Sequence, residues 1–143
     1  MSKIYFERQT ADSDNCRLCS INNIMGRKGL SIKGFIKHCQ EFDKKYKCTG
    51  SNQYFIVQPT DNSLSYILNK IGIKSIYYPP NTNIDVNHIL ENYNAFMVFS
   101  DEHVWVCKKI EEIWYTLDSL CKKIVKLRKG SLSRKLGYII IIK

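Results

Sequence analysis

No stretch of this chain is apolar for long enough to cross a bilayer, since a spanning helix takes about 18 residues or more. Acidic residues are few, 13 against 22 lysines and arginines, which leaves a net charge of +9. With three prolines and seven glycines there is no Pro/Gly/Ser linker, and no internal repeat or low-complexity tract divides the chain. One domain over residues 1–143 is therefore expected, and an apolar share of 44% is enough to build a sizeable core. The opening MSKIYFERQT puts charge where a secretory signal carries its apolar stretch, so no leader is expected. The expected location is the cytoplasm or nucleus (host cytoplasm for a viral or parasite chain). In such reducing surroundings the six cysteines are free, metal-bound or catalytic rather than paired.

The basic excess admits two readings. Lys122, Lys123, Lys126, Arg128, Lys129, Arg134 and Lys135 form a denser run, of the kind that marks a nucleic-acid or anionic-surface footprint. The plainer reading is composition, because Lys, Ile, Asn and Tyr are all abundant, as AT-rich codon usage produces. No aromatic-basic motif of the RNP kind accompanies the charge, so the sequence favours the plainer reading.

Periodicity predicts helices first and strands later. From Cys16, apolar residues Leu18, Cys19, Ile21, Ile24 and Met25 recur at spacings of three and four. Asp14 or Asn15 can cap the start and Gly26 the end. Further helices are expected over 31–45, near 63–71 (ended by Gly72) and around 86–91. Strands are expected over 74–78, 95–99, 104–108, 113–117 and 138–142. This order indicates an α+β fold with the N-terminal helices packed on one side of an antiparallel sheet. The IIII run at 139–142 lacks polar alternation and predicts a central strand covered on both faces.

Cysteine is a nucleophile only as thiolate, and an ordinary thiol, with a pKa of about 8.5, holds little thiolate at neutral pH. A helix N-terminus and an imidazolium partner both lower that value. Cys16 has the first by position. Among the three histidines, His38 lies mid-helix beside an apolar face and His88 in a polar, Asn-rich segment. His103 directly precedes the strand VWVCKK. If IWYTLD returns antiparallel, Asp118 becomes a cross-strand neighbour of His103, at about 5 Å, and can fix the tautomer of the base. Gln9, a side-chain amide just upstream, can join the Cys16 backbone N–H as an oxyanion hole.

CRLCSINNIMG, residues 16–26, resembles the catalytic-helix motif of the Josephin family of deubiquitinating cysteine proteases. There a nucleophilic Cys is followed by a Cys or similar residue, two Asn and a short apolar pair before a Gly. IYFERQ is similar to the family's start, its oxyanion-hole Gln matching Gln9. EHVWVCKKIEEIWYTLDSL, residues 102–120, is similar to the family's His block, whose third residue matches Asp118. GYIIIIK is similar to the last strand. The resemblance implies a papain-like fold with Cys16, His103, Asp118 and Gln9 as its site. It also implies hydrolysis of isopeptide bonds at the C-terminus of ubiquitin or polyubiquitin, and no metal or organic cofactor. Three features depart from the family: a longer Gln9–Cys16 interval, Val104 between His103 and the first aromatic, and little sequence between Phe42 and Asn62 for the helical hairpin that grips ubiquitin.

Other readings of the same residues compete. Cys16-Arg17-Leu18-Cys19 is a C-x-x-C at a helix start, but no βαβ pattern surrounds it. His38, Cys39, Cys48, Cys107 and Cys121 form no second ligand pair of zinc spacing. An acyltransferase or transglutaminase uses the same Cys-His-Asp set with another acceptor. A non-catalytic ubiquitin- or nucleic-acid-binding module is the remaining alternative. A monomer without membrane attachment is expected.

Overall fold

A computed structural model describes residues 4–9, 16–46, 61–100 and 103–142. The caps Asp14 and Asn15, Cys48 and the TADSDN loop lie outside the described residues. Among the described residues four helices, α1 (Cys16–Met25), α2 (Ile32–Tyr46), α3 (Asp61–Lys70) and α4 (Val86–Asn92), accompany six strands: β1 (Lys74–Tyr78), β2 (Ala95–Phe99), β3 (Val104–Ile110), β4 (Ile113–Leu117), β5 (Val125–Lys126) and β6 (Gly137–Ile142). The class is α+β, with a single antiparallel sheet in the order β1-β6-β2-β3-β4-β5.

Period-two alternation divides the strand side chains between two cores. Met97, Phe99, Val106, Leu117 and Ile139 pack under Leu18, Ile21, Phe35, Leu64 and Leu68 of α1, α2 and α3. Phe96, Val98, Cys107, Tyr138 and Ile140 pack on the opposite face with Ile89 of α4 and Leu132. The N-terminal helices α1, α2 and α3 thus share one face, as expected, and α4 does not. α4, which links β1 to β2, packs instead on the opposite face. The isoleucine strand β6 lies between β1 and β2 and contributes to both cores.

Two glycines end helices in the left-handed conformation that favours glycine. Gly26 has φ 74° and Gly72 φ 87°. At the latter, Ile73 N–H donates to Leu68 O at 2.8 Å and Gly72 N–H to Asn69 O at 3.1 Å, the paired bonds of a Schellman end. The β3–β4 hairpin turns on Glu111 and Glu112, both at positive φ (51° and 69°), as a two-residue type I′ loop demands. Gly137 faces Phe99 across the sheet, and a Cβ built there would lie 2.0 Å from its ring.

Helix α1 is buried from Cys16 through Ile24, far more than the one apolar stripe its sequence predicts. It rests on β3 and β2, and the N-terminal segment covers its other side through polar side chains. Asn22 Nδ2 donates to Glu7 Oε2 (2.7 Å) and to Leu30 O (3.0 Å), while its Oδ1 accepts from Leu30 N–H (2.9 Å). Asn23 Oδ1 accepts from Glu7 N–H at 2.6 Å, and its Nδ2 donates to Glu7 O at 3.2 Å. Paired asparagines inside an apolar helix are accounted for by these bonds, since buried polar groups need partners. At the helix C-terminus, Lys108 Nζ donates to Asn23 O (3.2 Å) and Ile24 O (3.3 Å), placing a cation at the negative end of the helix dipole.

Candidate active site

Cys16 is the first residue of α1 and His103 immediately precedes β3. Because α1 lies on β3, the helix start and the strand start meet. His103 lies near enough to the Cys16 thiol to draw it toward thiolate. Its Nε2 is 2.6 Å from Asp118 Oδ1, which leaves Nδ1 as the ring nitrogen for the thiol. Asp118 Oδ1 also accepts from Leu120 N–H at 3.0 Å, so the carboxylate is held from two directions.

The pairing of His103 with Asp118 was legible, but its geometry differs from a direct cross-strand pair. Val106 lies opposite Leu117 at the end of the β3–β4 ladder. Carried one step on, that register sets Asp118 across from Trp105, with His103 two residues beyond. The two side chains are diagonal neighbours on one face, a span long side chains can bridge. The indole of Trp105 stacks on the imidazole, with ring centroids 5.8 Å apart and planes 24° apart. The displaced aromatic is what permits this: residue i+2 of a strand shares a face with residue i, and residue i+1 does not.

The electrostatics agree with the geometry. Burial pushes the Cys16 thiol up, yet the hydrogen bond to His103, the Arg17 charge, a backbone hydrogen bond at Val104 and the charge on His103 bring it below its ordinary value. Burial would lower His103, but the bonds to Asp118 and Cys16 raise it to about 9. Asp118, pushed up by burial, is held below the usual carboxylate range by its bonds to His103 and Leu120. A thiolate–imidazolium pair backed by a carboxylate is the favoured protonation state. The remaining described thiols contrast with it. Burial pushes Cys19, Cys39 and Cys107 up to about 12, which ill suits Cys19 to a redox pair with Cys16. Among the described residues no group of three His, Cys, Asp or Glu gathers as a metal site.

Gln9 is tied to Ser119, the residue after Asp118. Gln9 N–H donates to Ser119 O at 3.1 Å, and the Ser119 hydroxyl donates to Gln9 Oε1 at 2.6 Å. Occupying the amide oxygen fixes which end of Gln9 can donate elsewhere. Ser119, buried, is the residue that sequence reasoning missed. Its signal was its place beside Asp118, with no motif of its own. His38 and His88 stay apart from this group: His38 Nδ1 lies 3.7 Å from Glu41, and exposed His88 contacts Asn92 at 3.0 Å.

Compared with known proteins, the chain matches no family model and no curated protein.

Proposed function

We propose that this protein is a papain-like, Josephin-type cysteine protease that hydrolyses peptide or isopeptide bonds at the C-terminus of ubiquitin. The observation that carries the chemistry is the line from Cys16 through His103 to Asp118, closed by the 2.6 Å bond at Nε2. The choice of ubiquitin rests on the resemblance of the two motif blocks. The Cys16 thiolate attacks the carbonyl carbon of the terminal glycine. The resulting oxyanion is met by the Cys16 N–H and the Gln9 amide. His103 gives its proton to the departing lysine amine, leaving a thioester on Cys16. The neutral imidazole then takes a proton from water, which attacks the thioester and releases the carboxylate. Trp105, stacked on the imidazole, covers one side of the His103–Asp118 bond and holds the ring plane through the cycle. Such a reading places the protein in the cytoplasm or nucleus.

The test is ubiquitin carrying a C-terminal thiol-reactive warhead, offered to the native protein and to Cys16→Ala. An adduct on the native protein alone supports the proposal. No adduct, or one that persists in Cys16→Ala, sinks it. A ubiquitin-like modifier with the same warhead distinguishes ubiquitin specificity from general thiol reactivity.

A further inference from the structure

The net charge is not spread along the chain. Residues 119–143 hold eight of the 22 lysines and arginines and none of the 13 aspartates and glutamates, leaving 14 basic against 13 acidic in the first 118 residues. A lysine-rich codon usage enriches lysine everywhere and does not strip carboxylates from one segment, so composition alone does not account for the excess.

Within this segment residues 126–136 form a strap across the face of the sheet that α4 shares. At one end Leu127 N–H donates to Trp114 O of β4 at 3.0 Å. The strap makes a short 3₁₀ turn, Lys129–Ser131, and Leu132 enters the second core. At the other end Arg134 O accepts from Asn81 N–H, in the turn after β1, at the opposite edge of the sheet. Four to five strand spacings separate these ends, about 20 Å. Buried Tyr138 staples the strap: its hydroxyl accepts from Ser133 N–H at 2.9 Å and donates to Ser133 O at 2.7 Å.

Every leucine of the strap (Leu127, Leu132, Leu136) turns toward the sheet. Lys126, Arg128, Lys129, Arg134 and Lys135 are all exposed, and none has a carboxylate within salt-bridge distance among the described residues. Lys129 Nζ is steadied by Asn87 Oδ1. A bilayer surface takes outward-facing bulky apolar residues among the cations, and from 126 to 136 there are none exposed. Nor does the strap carry an aromatic that could stack unpaired bases. Exposed cations along a backbone stapled to the sheet suit a rigid line of phosphates. One strand of a duplex places about six phosphates along 20 Å.

We propose that the strap over residues 126–136 is a docking surface for the phosphate backbone of a double-stranded nucleic acid, read without regard to sequence. The site is separate from Cys16 and does not rest on the proposed hydrolysis.

Fluorescence anisotropy with a labelled mixed-sequence DNA duplex of about 20 base pairs tests this, titrated between about 50 and 200 mM salt. Five phosphate contacts give a slope of about −4.5 in log K against log salt, an affinity loss of about 500-fold over that range. The variant Arg128→Gln/Lys129→Gln/Arg134→Gln/Lys135→Gln should retain the native far-UV spectrum and bring the slope to about −1. A charge-matched control, Lys33→Gln/Lys37→Gln/Lys44→Gln/Lys74→Gln, should keep the native slope. If the quadruple strap variant does not fold, Lys135→Glu alone must still weaken binding at least several-fold. Equal losses in strap and control variants would overturn the proposal, as would native-like binding by the strap variants. So would binding to phosphatidylserine vesicles without binding to duplex. Cys16→Ala should bind duplex as the native protein does, which keeps this outcome apart from that of the ubiquitin probe.

Discussion

Replacing Asp118 with Asn removes the anionic partner of His103 while keeping a side chain of the same size. In the native protein His103 rises from 6.5 to about 9. At about 1.36 kcal/mol per pKa unit that difference is on the order of 3 kcal/mol, and it belongs to the coupled trio rather than to one residue. A histidine raised on folding stabilises the native state fully below 6.5, and that contribution is lost as pH climbs toward about 9. Asp118, lowered from 3.8, contributes above that value and loses its contribution as pH falls through the folded value. Both contributions are complete between about pH 4 and 6.5, so Asp118→Asn should lose most stability there, and the gap should narrow above about pH 9 while the part that Asp118 draws from the Leu120 N–H remains. Thermal melts across this range measure the difference. Iodoacetamide alkylation of the Cys16 peptide, followed by mass spectrometry, reads the same coupling at the thiol. Native Cys16 should react well below the pH at which exposed Cys121 does, since Cys121 is raised by burial and by Asp118. Asp118→Asn should move the Cys16 profile upward, each unit lowering the thiolate fraction at acidic pH about tenfold. A native profile that begins only near about pH 8.5, where a free thiol titrates, would show that His103 and Asp118 do not activate Cys16, as would superimposable profiles for the two proteins.

Other substitutions probe the scaffold and the oxyanion side. Gln9→Ala should slow turnover of a ubiquitin substrate by about 100- to 1,000-fold while leaving Cys16 alkylation at its native rate; Ser119→Ala should give a smaller fall of the same kind. Asn22→Ala breaks three bonds, two of them buried, and should cost about 2–4 kcal/mol in urea unfolding; an unchanged midpoint would contradict the role given to this clasp. Gly137→Ala drives a Cβ into the Phe99 ring and should cost about 1–3 kcal/mol or more, with Phe99→Leu recovering part of the loss. Glu111→Asn/Glu112→Gly relieves two positive-φ residues and should raise stability by roughly 1–2 kcal/mol.

Strand positions were legible because β-branched and aromatic runs are bounded by turn residues, and four of the five expected strands keep their expected ends within a residue. β3 runs on to Ile110, since the hairpin turns on two glutamates rather than on the Asn-Gly or Asp-Gly that marks such a loop. β5, two residues long, carries no periodicity to read. His103 and Asp118 could be brought together from the strand pattern alone, and Cys16 was added by its place at a helix start and by the motif resemblance. Their diagonal register could not, because the ladder ends at Val106 and Leu117 and backbone pairing does not dictate how side chains lean past its end. Ser119 and the Asn22–Glu7 clasp were silent for a related reason: their partners lie 110 and 15 residues away in the chain, and a single polar residue does not announce a distant one.

Helix α1 meets solvent so little that nine consecutive residues, beginning with Cys16 itself, are shut inside. Nothing in that rod can loosen without the sheet beneath it and the N-terminal segment above it loosening too. The thiol therefore works as a gauge of the whole molecule. Its acid-shifted reactivity should hold level through rising denaturant for as long as the chain stays folded. It should then collapse in one step at the unfolding midpoint, with no earlier decline to mark a separately melting site.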